Sequence, residues 1–118
     1  MKIILDTNFL VDCVRFKVDL KSELAGNELF VLDSVIFELE KISKRGTKES
    51  SLARLALDFI NKNNLKILET GRKDADESLI RHSKEYAIAT HDRVLKNKLK
   101  KLGAKIIYIR QKKYLVVE

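Results

Sequence analysis

Proline and tryptophan are absent from these 118 residues, cysteine and methionine occur once each, and histidine occurs twice. A single cysteine, Cys13, excludes an internal disulfide and makes a reducing cytoplasm the expected setting. It lies in the apolar stretch from Phe9 to Phe16 and is read as a small core residue. One cysteine and two distant histidines, His82 and His91, supply no soft-ligand cluster for a transition metal. Neither histidine sits in a recognisable triad with a Ser or Cys nucleophile. Aromatic residues make up 7% of the chain, too few to support sequence-specific stacking of single-stranded bases. Phe37 and Tyr114 are the aromatics least committed to a core. No apolar run approaches the length that spans a bilayer, and Met1-Lys2 leads into a strand rather than a secretion signal. A soluble, intracellular protein with no membrane partner is expected.

Positive charge, by contrast, is plentiful. Lys and Arg number 24 against 17 Asp and Glu, a net +7 that favours a polyanionic partner over a solvated basic surface only when joined to other signals. The length fits one domain, residues 1–118, with a single core. The wealth of Lys, Ile and Leu and the lack of Pro give a thermophile-like composition.

Apolar periodicity predicts alternating strands and helices. Residues 2–5 form a short buried-strand pattern, after which Thr7 or Asn8 can cap a helix to about Phe16. A second short helix over 20–25 stops at Gly26-Asn27, and 29–32 is the next strand. Asp33 and Ser34 offer a cap for a helix with Val35, Ile36, Leu39 and Ile42 on one stripe. A basic loop over 44–48 leads to a helix whose period places Leu52, Leu55, Ala56, Phe59 and Ile60 inward. Strands at 66–68, 87–90 and 105–109 alternate with helices over 74–86 and 93–102, and 114–117 suits an edge strand. The expected fold is a three-layer α/β/α sandwich on a mainly parallel, roughly five-stranded sheet.

Four acids punctuate this pattern near strand ends: Asp6, Glu38, Asp76 and Asp92. Each alone has a structural reading, since carboxylates cap helices and complement the first turn. Together they converge, because parallel strands deliver their carboxyl ends to one edge, where ligands bind. Four gathered carboxylates repel one another unless a cation neutralises them, and an all-oxygen set suits Mg²⁺ or Mn²⁺. Asp74 is a possible substitute or supporting carboxylate, whereas Asp12 and Asp33 are read as structural or solvated. Thr7, Asn8 and Thr90 are either polar helpers of the ligand carboxylates or caps. His91 is either a substrate contact or a solvated surface residue.

The segment Leu5-Asp6-Thr7-Asn8-Phe9-Leu10 resembles the opening motif of PIN-domain nucleases. Val35-Ile36-Phe37-Glu38-Leu39, Asp74-Ala75-Asp76-Glu77-Ser78-Leu79-Ile80 and Ala89-Thr90-His91-Asp92 resemble their second, third and fourth motifs in order. The fourth is usually Thr-Asn-Asp, so His91 is a departure. Within the family, the chain looks most like small archaeal PIN proteins related to rRNA-processing factors, with VapC-type toxins as close relatives. The resemblance implies a Mg²⁺- or Mn²⁺-dependent endoribonuclease, with Asp6, Glu38, Asp76 and Asp92 as metal-binding catalytic residues and 5′-phosphate and 3′-hydroxyl products. RNA would follow Lys41, Lys44, Arg45 and Lys48 on one side and Arg93, Lys96, Lys100 and Lys101 on the other, with Arg110, Lys112 and Lys113 as a third cluster.

Two rivals are an antitoxin-partnered toxin ribonuclease and a catalytically silent RNA-binding PIN module. A phospho-acceptor receiver domain is rejected, because only one Asp follows the first strand and the middle of the chain is helical. A homodimer is expected from the habit of small PIN proteins, with Phe9, Val14, Phe16 and Leu20 as candidate contacts.

Overall fold

The computed structural model describes residues 1–71 and 74–118. Its elements run β1 (Lys2–Leu5), α1 (Thr7–Arg15), α2 (Leu20–Glu23), β2 (Glu28–Leu32), α3 (Asp33–Ser43), α4 (Lys48–Lys62), β3 (Lys66–Leu68), α5 (Ala75–His82), β4 (Ala87–Ala89), α6 (Arg93–Lys101), β5 (Ile106–Arg110) and β6 (Tyr114–Val117). The strands form one six-stranded sheet in the order β3-β2-β1-β4-β5-β6. All pairs are parallel except β5 with β6. The α/β architecture is as expected, with one strand more than five, because the tail after β5 returns as an antiparallel edge.

The strand order carries the functional consequence. From β1 the chain steps outward to β2 and β3, then crosses back to β4 on the other side of β1. Right-handed crossovers send helices of outward steps to one face and those of the return steps to the other. Accordingly α1, α3 and α4 pack together, while α5 contacts α6. Covered on both faces, β1 and β4 read as unbroken apolar runs, and Ile3, Ile4, Leu5, Ile88 and Ala89 are fully buried. The reversal of direction between β1 and β4 leaves a crevice beyond their carboxyl ends, the favoured ligand position in open α/β sheets.

Several local expectations shift. The helix predicted over 74–86 stops at His82, with Ser83 as its C-cap donating from Oγ to the Ile80 carbonyl at 2.7 Å. Asp6, rather than Thr7 or Asn8, caps α1. Leu55 is 53% exposed, because α4 turns Ala53, Ala56 and Ile60 inward, on the side where it packs against α1 and α3. Phe9 and Leu20 are core residues, so the expected dimer contact retains only the half-buried Val14 and Phe16. Cys13 is buried, as expected, and burial pushes its thiol up to about 12, with the Asp12 charge adding to the effect.

Two polar ties fix the two ends of α3. Asp33 accepts from Thr70 N (3.0 Å) and Thr70 Oγ1 (2.6 Å), anchoring the start of α3 to the segment after β3. These bonds hold its carboxyl below the usual range. Ser50 Oγ accepts from Thr47 N and donates to the Ile42 carbonyl at 2.7 Å, closing the corner between α3 and α4. Leu39, fully buried on α3, holds that helix against the sheet. Leu39→Ala is expected to cost about 2–5 kcal/mol, read as a lower midpoint in chemical denaturation.

Candidate active site

Four elements supply the acids. Asp6 ends β1 and starts α1, Glu38 faces outward midway along α3, Asp76 lies in the first turn of α5, and Asp92 caps α6. They line a single cleft of about 370 Å³ together with Thr7, Asn8, Ser34, Val35 and Ala75. The β1–β4 pairing explains the central part: Asp6 N donates to the Ala89 carbonyl at 2.9 Å, which places Asp6 beside Thr90.

Thr90 is fully buried and links two of the acids. Its Oγ1 donates to Asp6 Oδ2 at 2.8 Å and accepts from Asp92 N at 3.2 Å. Asp6 Oδ1 accepts from Thr7 N at 2.9 Å, and Asp92 Oδ1 accepts from Leu95 N at 3.1 Å. Capping and site assembly therefore coincide in the same side chains. Asp74 stands apart: it is exposed, accepts from Asp76 N at 2.8 Å as the cap of α5, and does not line the cleft. Asn8 is exposed at the cleft wall.

Electrostatics follow the geometry. Asp6 holds its proton more tightly than an ordinary aspartate, first because it is buried, with the charges of Asp76 and Glu38 adding to this. The Thr90 and Thr7 hydrogen bonds oppose the shift. Asp76 is raised too, by desolvation and then by Asp92 and Asp74. In the window between 3.8 and these raised values the folded protein binds more protons than the unfolded one, so stability falls as pH rises through it. Asp6→Asn is therefore expected to raise the metal-free Tm at pH 7 by a few degrees and to leave it unchanged below pH 3.8. Thermal scans in EDTA across that range check the sign.

The donor set fits a hard divalent cation. All its charged groups are oxygens, and burial, with repulsion from neighbouring carboxylates, disfavours the ionised forms of Asp6 and Asp76 until a cation offsets them. Ser34 Oγ, on the cleft wall, is buried without a hydrogen-bond partner, a condition that bound water or a ligand oxygen relieves. Among the described residues, no three acidic, histidine or cysteine side chains stand close enough to enclose an ion by themselves. A hydrated divalent ion such as Mg²⁺ keeps several waters and needs only one or two protein carboxylates, so this spacing does not bar it.

The basic residues divide. Lys41 lies one turn from Glu38 on α3 with Nζ 5.3 Å from the Phe37 ring centre, and Lys44, Arg45 and Lys48 follow in the exposed corner beyond. Arg93 directly follows Asp92, and Lys96 Nζ sits 4.7 Å over the Tyr108 ring. Lys100 pairs with Glu118 at 3.3 Å, at the end of α6 remote from the cleft, and Lys101 closes that helix. Arg110, Lys112 and Lys113 lie on the β5–β6 hairpin, at the same sheet edge as the acids. A larger groove of about 440 Å³ opens at the opposite edge, beside the starts of β2 and β3. Its lone carboxylate, Glu28, is already paired with Lys66, so it offers no comparable chemistry.

Sequence reasoning missed two features. The sequence offers Ser34 only as a cap, although its place just past the carboxyl end of β2 puts it on the cleft. His91 is neither solvated nor in the cleft: its Nδ1 contacts Asp12 Oδ2 at 2.6 Å and its Nε2 accepts from Ile109 N at 3.2 Å. Its spacing of 79 residues from Asp12 gave no sequence signal.

A doubly wound sheet with carboxylates from four motifs at its switch point is the arrangement of the PIN-type nucleases that those motifs resemble. Residues 3–112 match the family described as PIN like domain, and the chain belongs to it. It is 34% identical to Ribonuclease VapC4 of Methanocaldococcus jannaschii, an alignment covering 98% of this chain and 95% of that protein. It is 33% identical to Ribonuclease VapC9 of Archaeoglobus fulgidus, over 98% of this chain and 87% of the relative. The structure of the PIN domain endonuclease Utp24 matches with a TM-score of 0.81 and 28% identity, covering 99% of this chain and 90% of that one. A domain of a functionally unknown protein from Methanocaldococcus jannaschii, at TM-score 0.64 and 18% identity over 92% and 91% of the two chains, shares the fold.

Proposed function

We propose that residues 1–118 form one PIN-like domain acting as a divalent-metal-dependent endoribonuclease in the cytoplasm. The observation that carries this is the meeting of Asp6, Glu38, Asp76 and Asp92, from four separate elements, in one cleft at the β1–β4 switch point. The nuclease names of the relatives support the reaction class.

Asp6 and Asp92 are the principal ligand candidates, because Thr90 and the adjoining backbone amides hold both carboxylates in place. Glu38 and Asp76 would complete the ion's surroundings from the cleft walls, directly or through water. Mg²⁺ or Mn²⁺, when bound, supplies Lewis acidity that activates water and offsets charge growing on the phosphoryl oxygens. The chain's own part is positional. Ser34, Thr7 and Asn8 bring polar groups to the cleft, and Lys41, Lys44, Arg45, Lys48, Arg93 and Lys96 hold the RNA backbone along its two sides. Water adds to phosphorus in line, the bond to the 3′ oxygen breaks, and that oxygen takes up a proton, giving 5′-phosphate and 3′-hydroxyl ends.

Labelled single-stranded RNA incubated with Mn²⁺ or with EDTA tests the reading. Cleavage only with the ion is expected. Binding without cleavage under any divalent ion would sink the enzyme in favour of an RNA-binding module. A role in RNA processing, in the manner of the rRNA-processing-type proteins the motifs resemble, predicts no effect of expression on growth. The alternative is a toxin ribonuclease of the VapC type with an antitoxin partner, and it predicts growth arrest on expression. We also propose a homodimer, and a monomer in sedimentation at micromolar concentration refutes it.

A further inference from the structure

His91 stands between Thr90, which links two of the acids, and Asp92, which is one of them. Among the described residues its ring makes three contacts, none of them in the cleft. Nε2 accepts from the Ile109 amide on β5 at 3.2 Å, just where β4 has ended and its ladder with β5 has run out. An unprotonated Nε2 places the ring proton on Nδ1, which therefore donates to Asp12 Oδ2 at 2.6 Å. The ring edge also meets Phe9 of α1, with centroids 5.3 Å apart and planes at 61°. Asp12 is held in turn by Arg15, which reaches across to Glu49 on α4.

A string of polar contacts thus runs from α4 through α1 to the connection between β4 and α6 and on to β5. That connection is only Thr90, His91 and Asp92, and its flanks are what the ring grips. Asp6 belongs to the start of α1, six positions before Asp12, and Asp92 directly follows His91. The pair therefore bridges the two segments that carry the principal carboxylates, and neither Asp12 nor His91 lines the cleft.

We propose that Asp12 and His91 act as a positioning couple for the acidic site, holding Asp92 and Thr90 in register with Asp6. The proposal rests on the metal-site reading above. An Asn side chain places its amide where Nδ1 lies and so can still donate toward Asp12, whereas Gln reaches the Nε2 position and can still accept from Ile109.

Calorimetric titration of the protein with Mn²⁺ in the absence of RNA tests this, alongside cleavage kinetics and thermal scans. His91→Ala and Asp12→Ala are each expected to weaken Mn²⁺ binding about 10–100-fold, the range for groups that orient metal ligands. RNA affinity in EDTA is expected to stay within about twofold, because the couple lies off the basic track. His91→Asn is expected to recover part of the Mn²⁺ affinity. Variants that lose Tm but bind Mn²⁺ within twofold of wild type, measured well below their melting points, overturn the proposal and leave the pair a fold-stabilising contact. Should His91→Ala not fold, Asp12→Ala and His91→Asn decide by the same readout. A wild-type protein that binds no Mn²⁺ overturns the metal-site reading itself, whereas normal wild-type binding with unaffected variants overturns the couple alone.

Discussion

Asp6→Asn is expected to slow RNA cleavage by at least about 10²–10³-fold, the scale for removing one preorganised electrostatic group from a reacting centre. The substitution keeps shape and most hydrogen bonds: the amide oxygen can still accept from Thr7 N, and the Thr90 hydroxyl can turn to accept from the amide nitrogen. Only the charge is lost. Asp6 is the best placed of the four for such a test, since it is the most enclosed and feels both Asp76 and Glu38. Its removal also relieves the burial of a carboxylate, and with it the weaker repulsion from Asp76 and Glu38, which together destabilise the metal-free fold. Activity and metal-free stability should therefore move in opposite directions in the same variant. A variant that cleaves within tenfold of wild type, at saturating Mn²⁺, would remove Asp6 from the chemistry.

Salt is expected to weaken RNA binding steeply, by about 300-fold between roughly 50 and 200 mM, if six cations each neutralise a phosphate of a single strand. The six are Lys41, Lys44, Arg45, Lys48, Arg93 and Lys96, all exposed but Lys96. Replacing Lys41, Lys44, Arg45 and Lys48 with Ala should leave two contacts, cutting that loss to about sevenfold. Fluorescence anisotropy in EDTA measures both slopes without cleavage intruding. Lys41 projects beside Glu38, and Arg45, just past the end of α3, lies about 10 Å from Glu38 by helical rise, a reach of one to two nucleotides' worth of backbone. Equal slopes for the two proteins would show that RNA does not cross this face.

Much of this was legible in the chain itself. Lys2–Leu5 and Glu28–Leu32 are short, apolar and β-rich, so burial on two faces wrote them plainly. Gly103, with φ of 74°, marks the end of α6 because left-handed backbone favours a residue without Cβ. Where two physical demands compete, sequence reasoning slipped. Tyr86 continues the apolar period of α5, yet the helix ends at His82, and the aromatic ring instead packs edge-on against Phe30 at 5.0 Å. Leu55 fits a helical stripe but faces out, because the small Ala53 and Ala56 let α4 approach its neighbours closely. Phe9 and Leu20 suited an interface by composition, and the core claimed them.

The four acids were nameable from motif order and from their place after apolar runs, since strand ends and helix starts are local events. What they do to one another was not. Thr90 reaches Asp6 across 84 positions, Asp12 finds His91 across 79, and Ser34 becomes an unpartnered hydroxyl only when α3 is docked on the sheet. Local sequence determined which side chains could carry charge and which segments would be strands or helices, because propensity and periodicity act over a few residues. The order of strands, and with it the crevice that gathers the charges, was decided by tertiary packing, where the energy lies in contacts between segments far apart in the chain.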